Sequence, residues 1–488
     1  MVFRAPNPLK CPAGLPGVTH FSGTVATDVV ISDFEDAQRL TRLVLMACVI
    51  VGSIGSLVVS YRVGTQSLVL GSDEGRWTYL YLQGFQPHFI RAFVRVCLAA
   101  ILFLAMPLGI ARRHEWPAVF ASLLIGILVQ GQLRSETRYT FEQIFGSDGA
   151  NAFYSPTLRY NAATALTDFD RVRPTLPTHA QANMPGKLML VYALELVSRR
   201  PAVLAWLVVL LSNVGGVLMY LFVRDLFGDR IVAYISLILY LVVPAKLFFF
   251  PVLNTVTPVL ILACACLWLW SLQTGRVTHA AFFGVALFAQ TFFDPLALVM
   301  GLLFAAIAIL LLRRSDHGWS RLLNQGGIAG IGFMATYAVL LIGFRFDLLT
   351  TLRHVATDAA SFNVAAHRPY TIWIRQNLLD FLFGIGVCQA WLFFVAIGWM
   401  LHRAVTGQSD QPFTMLCLGL ASTLLATDVI GINRGEVIRL WIFMACFFQI
   451  PAAYLCAKLN SRISVMLILG TTLAQDLLGT AMFNFAQP

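Results

Sequence analysis

Residues 202–223 read AVLAWLVVLLSNVGGVLMYLFV, a run of twenty-two positions without one charged side chain. As a helix rising about 1.5 Å per residue, such a run is long enough to cross the roughly 30 Å of hydrocarbon in a bilayer. Runs of the same kind recur near 41–61, 89–111, 117–133, 231–249, 255–273, 279–294, 296–312, 325–344, 379–401, 412–430, 438–456 and 463–483, which makes about 13 spans. They are too long and continuous for the strands of a barrel, so the spans are expected to be helices. Composition agrees: the 488 residues are 58% hydrophobic and 12% charged, with a mean hydropathy of +0.75. That leaves too few polar side chains to cover a soluble globule of this size. The expected fold class is all-α, a polytopic transmembrane helix bundle.

The net charge of +10 does not point to nucleic acid, because polytopic proteins gather Lys and Arg in their short cytoplasmic connections. With Arg4, Lys10, Arg39 and Arg42 placed inside, the same side receives Arg112, Arg113, Arg224, Arg230, Arg276, Arg313, Arg314, Arg321, Arg403, Lys458 and Arg462. This orients the chain in a plasma (inner) membrane with its N-terminus cytoplasmic. An odd span number sends the C-terminus outside. The first forty residues are polar and mixed, without a short apolar stretch and cleavage site, so the first span is expected to be an uncleaved anchor. Eight of the nine cysteines fall in apolar runs and only Cys11 lies in a polar one. They read as small hydrophobes, not as a disulfide framework or metal site. The expected organisation is a cytoplasmic segment over 1–40, a transmembrane hairpin over 41–116, a core over 117–456 with an external loop at 134–201, and a C-terminal helix over 457–488.

Polar chemistry then concentrates outside, in 62–88, 134–201, the tip at 248–254, the Asp294–Pro295 turn, 345–378 and the GINRGE turn at 431–436. The two spans that meet at Asp294–Pro295 are short, and one or both are expected to enter part way and line a cavity, where non-helical backbone is tolerated. In the long loop, Asp148 sits in a Gly-Ser-Asp-Gly turn about fifteen residues past a membrane exit. Two interfacial helices are expected, at 156–168 with Pro156 at its start, and at 187–198 behind Pro185–Gly186. The second carries Leu188, Val191, Tyr192 and Leu196 on one flank.

A turn bearing His179, Asn183, Pro185 and Gly186 ahead of an interfacial helix resembles the His-Pro-Pro-Gly turn in the first external loop of GT-C class polytopic membrane glycosyltransferases. That group includes protein O-mannosyltransferases and the aminoarabinose transferase of lipid A. The order of carboxylate, first interfacial helix, turn and second interfacial helix is also theirs. Here the turn reads Asn-Met-Pro-Gly. Blocks at 239–262, 367–386 and 433–444 resemble a bacterial branch of these enzymes, so the likeness spans about 134–456.

The resemblance implies a GT-C-like core and transfer of a sugar, with inversion, from a polyprenyl-phosphate donor to a glycan, lipid or protein acceptor outside the membrane. An acceptor hydroxyl needs a base as it attacks, and the leaving phosphate needs cations. Asp148 is the candidate base, with Asp73 and Glu74 as rivals that also follow a membrane exit. Asp168 and Asp170 read more simply as helix ends, and Asp148 itself has the plainer reading of a turn residue. Arg434, Arg439, Arg368 and Arg375 are candidates for the phosphate. Arginines at this depth also snorkel or bind headgroups, and Glu436 with Arg439 also reads as an internal pair. His179 and Asn183 are expected to bind donor phosphate or order the turn. No second ligand stands at zinc spacing from His179, so no metal site and no cofactor are expected. Membrane lipids are partners and nucleic acid is not. The alternative is a transporter or lipid flippase, which should show its charges and broken helices near mid-membrane.

Overall fold

The computed structural model describes residues 24–82, 88–105, 114–134, 137–313, 318–408, 410–483, 485–486 and 488. Arg4, Lys10, Cys11, Arg112, Arg113 and Arg314 lie outside the described residues. The chain divides into two compact units, 1–45 and 46–488. The helix Thr24–Gly64 starts well ahead of the expected span. Residues 24–40, expected as part of a polar segment, are helical because no Gly or Pro interrupts them.

Among the described residues, eleven helical stretches are long and apolar enough to cross a membrane. The other two of the expected thirteen, Phe89–Ala105 and Val277–Phe293, have 17 residues each among those described. The protein is thus a multi-pass membrane bundle of helices, and the one small sheet among the described residues is the antiparallel pair Gly71–Ser72 and Trp77–Thr78.

Several spans are broken where the sequence removes a helical hydrogen bond. Val277–Phe293 stops at Asp294, whose backbone is extended, and the chain resumes as a 3-10 turn Pro295–Met300 before Gly301–Leu312. Pro295 has no N–H to continue the ladder. Arg230–Leu241 and Pro244–Phe249 are divided in the same way ahead of Pro244. The expected span at 379–401 is two helices, Tyr370–Ile385 and Val387–Val405, divided at Gly386 with φ +106°. Only glycine adopts that conformation without strain. Glycine also lets helices touch: a Cβ on Gly284 would fall 2.0 Å from the Ala329 carbonyl oxygen, so Val277–Phe293 and Gly318–Phe344 pack backbone to backbone.

The long loop is folded, not draped. Its Phe145, Phe153, Phe169, Val172, Leu176, Met184, Leu188 and Val191 form one apolar cluster with Val208, Phe288, Phe293 and Phe346 of the spans and their ends. The expected helix 156–168 is two pieces, Ser155–Leu158 and Ala162–Thr167, because the Asn161 side chain caps the second by accepting from the Thr164 N–H. The second interfacial helix runs Gly186–Glu195, close to the expected 187–198.

Candidate functional site

The Pro-Gly turn is where loop and membrane bundle meet. A Cβ on Gly186 would lie 2.4 Å from the carbonyl oxygen of Phe292, so only glycine lets this turn press against the end of Val277–Phe293. That contact delivers Lys187 to the broken span. Its ammonium donates to Asn183 Oδ1 at 2.8 Å and pairs with the Asp294 carboxylate at 3.6 Å. Asn183 in turn donates to the His179 carbonyl at 2.6 Å. Asp294 accepts from Thr257 at 3.0 Å, and its own carbonyl accepts from the Gln290 amide at 2.7 Å.

The facing wall is the 431–440 segment. Gly435 (φ +87°) and Glu436 (φ +58°) turn the chain sharply. This bend is held from Tyr370–Ile385: Asn377 donates to the Asn433 carbonyl at 2.8 Å and accepts from the Gly435 N–H at 3.1 Å. Arg368 Nη1 donates to the Arg434 carbonyl at 2.6 Å, and Arg434 Nη1 returns a bond to the Arg368 carbonyl at 2.8 Å. The Glu436 carboxylate bridges Arg439 and Arg368, the latter at 3.4 Å.

A third wall is the helix Leu348–Ala365, which turns Leu352, Val355, Ala356, Ala359 and Phe362 inward. It is tied to the long loop by the Arg173–Asp358 ion pair and a His354–Asp170 contact at 3.3 Å. Asn363 ties it to the Ile432 carbonyl at 2.7 Å. These walls enclose a cleft of about 290 Å³.

The cleft's lining carries four cations (Lys187, Arg368, Arg434, Arg439) and two carboxylates (Asp294, Glu436), an excess of two positive charges. Arg439 and then burial push the His179 imidazole down to about 4, so it is neutral near pH 7. Burial lowers the Lys187 ammonium, and Asp294 opposes this. Burial works against the charged form of Glu436, but Arg439, His179 and Arg368 outweigh it and hold its carboxyl below the usual range. Such a chamber favours an anion.

A more open recess of about 510 Å³ adjoins it, lined by Asp148, Gly149, Arg159, Thr175, Thr178 and His179. Thr178 and His179 line both spaces. Asp148 is exposed, and its carboxylate accepts from the Ser155 hydroxyl.

The structure therefore gathers His179, Asn183, Arg368, Arg434, Glu436 and Arg439 around one cleft, with Asp148 next door. Asp73 and Glu74 are exposed in the turn between the two short strands and do not line the cleft; Arg375 is exposed on Tyr370–Ile385 and does not line it either. Sequence reasoning missed Lys187 and Asp294 as partners, and Asn254, Asn363 and Asn433 as lining residues. The available clue was Asp294 ahead of Pro295, an acid at a break between two apolar runs. Among the described residues, no three His, Cys, Asp or Glu side chains cluster to hold a metal ion.

No protein-family model matches the chain, and no curated protein does. Among solved structures, the archaeal oligosaccharyltransferase AglB from Archaeoglobus fulgidus, in complex with an inhibitory peptide and a dolichol-phosphate, aligns with a TM-score of 0.44 and 11% sequence identity. The alignment covers 76% of this chain, and the chain spans 56% of that one.

Proposed function

We propose that this protein is a glycosyltransferase that moves a sugar from a polyprenyl-phosphate donor to an acceptor hydroxyl at the external face of the inner membrane. The observation that carries the reading is the cleft itself: a cationic floor and an aliphatic wall in one chamber, beside a polar recess that holds a carboxylate. An amphiphile with a phosphate head fits such a chamber, and a free sugar or an apolar lipid does not use both of its surfaces.

In this reading Lys187, Arg439 and Arg368 hold the donor phosphate, and the prenyl chain leaves along Leu352, Val355 and Phe362. The acceptor occupies the recess. Asp148 takes the hydroxyl proton as the acceptor oxygen bonds to the anomeric carbon from the face opposite the phosphate. The bond from that carbon to the phosphate oxygen breaks, the electron pair leaves with the lipid phosphate, and the configuration inverts. The cations stabilise the charge that grows on the departing oxygen. Arg434 completes the 431–440 wall, its Nη1 bonded to the Arg368 carbonyl as Arg368 Nη1 is to the Arg434 carbonyl. The resemblance to GT-C enzymes in the 134–201 loop points the same way.

A transporter or lipid flippase is the second reading. It is favoured by Lys246 and Asp476, both fully buried in the spans. Ionisable groups within a membrane are functional by default expectation. The deciding experiment offers radiolabelled polyprenyl-phosphate sugars to the purified protein in lipid nanodiscs and in sealed vesicles. Transfer by the wild type that vanishes in Asp148→Asn, with donor binding retained, supports the enzyme and its base. Movement of the lipid across sealed vesicles with no transfer refutes it in favour of transport.

A further inference from the structure

The loop that follows the first span lies ahead of every residue assigned to the cleft, yet it packs directly behind one of them. Trp77, on the second short strand, sets its ring 5.4 Å from the Arg368 guanidinium carbon, and Phe362 approaches the same carbon at 5.0 Å. The guanidinium is thus flanked by two aromatic rings, one from the cleft wall and one from the hairpin. Trp77 is itself seated against Trp373 at 6.1 Å and Tyr79 at 4.4 Å between ring centroids.

The hairpin is anchored on three sides. Trp373 Nε1 donates to the Gly75 carbonyl at 3.1 Å, the Gly71 N–H donates to Asp380 at 3.0 Å, and the Ile438 N–H donates to the Tyr79 hydroxyl at 3.2 Å. Packing at the bend is tight. A Cβ on Gly435 would meet Trp373 at 3.0 Å, Trp77 at 3.1 Å and Arg368 Nη1 at 3.3 Å.

We propose that Trp77 is a positioning residue for Arg368, so that the external hairpin after the first span is part of the anion site. This rests on the reading of the cleft as a phosphate site. A flat ring face behind a guanidinium restrains its plane and attracts its charge without using the N–H groups, which lie in that plane. Arg368 already gives Nη1 to the Arg434 carbonyl at 2.6 Å and Nη2 to Glu436 at 3.4 Å, which leaves its buried Nε without a partner, and the two rings hold the faces of the plane in which these groups point. The N-terminal hairpin, which supplies no lining residue, thereby acquires a role through Trp77.

The test compares wild type, Trp77→Phe and Trp77→Leu, all full length in nanodiscs. Leucine keeps apolar bulk and removes the ring face, so the comparison separates stacking from simple filling. One readout is the phenylglyoxal modification rate of Arg368, mapped by peptide mass spectrometry against the exposed Arg375 as internal standard. The other is binding of farnesyl phosphate, with farnesol as the uncharged control.

In Trp77→Leu we expect Arg368 modification to rise by about fivefold or more and farnesyl phosphate affinity to fall by about three- to tenfold, with farnesol unchanged. Trp77→Phe should stay within about twofold of wild type on both readouts. An Arg368 rate in Trp77→Leu equal to wild type overturns the inference. So does an unchanged farnesyl phosphate affinity where the wild type binds it. If the wild type binds no farnesyl phosphate, the donor reading fails, and the Arg368 rate still decides whether Trp77 positions it.

Discussion

Lys187 and Asp294 offer a way to separate what stabilises the cleft from what it binds. Their side chains are 2% and 10% exposed and lie 3.6 Å apart. At an effective dielectric near 20 their attraction is roughly 4–5 kcal/mol, against a dehydration cost of several kcal/mol for each ion. The pair as a whole is therefore close to neutral for stability, whereas either partner alone is a buried, uncompensated charge. Asp294→Asn strands Lys187 near Arg439, and Lys187→Met strands Asp294 with only the Thr257 hydroxyl; each should cost about 3 kcal/mol. The double variant should come within about 1 kcal/mol of wild type, a coupling of several kcal/mol. Thermal unfolding in detergent, followed with a thiol-reactive dye, gives the comparison because Cys264, Cys388, Cys446 and Cys456 are buried in the folded state. Polyprenyl-phosphate binding gives the second axis: the double variant should regain stability and still bind weakly, since its cation is gone. Single variants that unfold no earlier than the double one would refute the coupling. Full binding by the double variant would remove Lys187 from the proposed phosphate site.

Other expectations follow from the same geometry. His179 has a folded value of about 4 against an ordinary 6.5, so the unfolded chain binds the extra proton between these values and the fold loses stability as pH falls through that window. His179→Gln should flatten this loss in unfolding measurements from pH 7 down to 4 and leave the curve above 6.5 unchanged. Arg439→Gln should weaken polyprenyl-phosphate binding by about tenfold or more, as expected for a charge-assisted contact, while Arg375→Ala, outside the cleft, should leave titrated affinity unchanged.

The spans were readable because each is set by one local property, apolar length, and thirteen were expected where eleven full-length and two 17-residue helices stand. Breaks were less readable. Asp294–Pro295 announced itself through proline, but the division at Gly386 did not, since an isolated glycine in an apolar run also occurs in unbroken helices. Asn161 has the residue type of a cap and was read through, because Ala-rich flanks made 156–168 look continuous. In the site, Arg368 and Arg375 looked equivalent from their numbers. Among the buried positions of Tyr370–Ile385, Trp373, Asn377, Asp380, Phe381 and Gly384 are spaced for one helical face, and Arg375 falls off that face. The Lys187–Asp294 pair joins distant parts of the chain, brought together by the Gly186 contact with Phe292 and the packing of Leu188 with Phe288 and Phe293.

The choice of base can be argued from how each nearby carboxylate is engaged. A general base must hold its proton acceptor free and keep some affinity for a proton, and a carboxylate clamped by cations loses both. Glu436 is bridged by Arg439 and Arg368, and its carboxyl is held below the usual range. Asp294 is occupied by Lys187 and Thr257. Asp148 has no ion-pair partner among the described residues and contacts a hydroxyl, that of Ser155. Glu436→Gln removes one negative charge from the cleft, taking its excess from two positive charges to three. It should therefore retain or tighten polyprenyl-phosphate binding and retain sugar transfer, at some cost in thermal stability because two buried guanidiniums lose their counter-ion. Transfer measured in a variant set of Asp148→Asn, Glu436→Gln and Asp294→Asn, each normalised to folded protein and bound donor, discriminates directly. Loss confined to Asp148→Asn is the expected pattern. Loss in Glu436→Gln with donor still bound would move the base into the cleft and leave Asp148 as a turn residue.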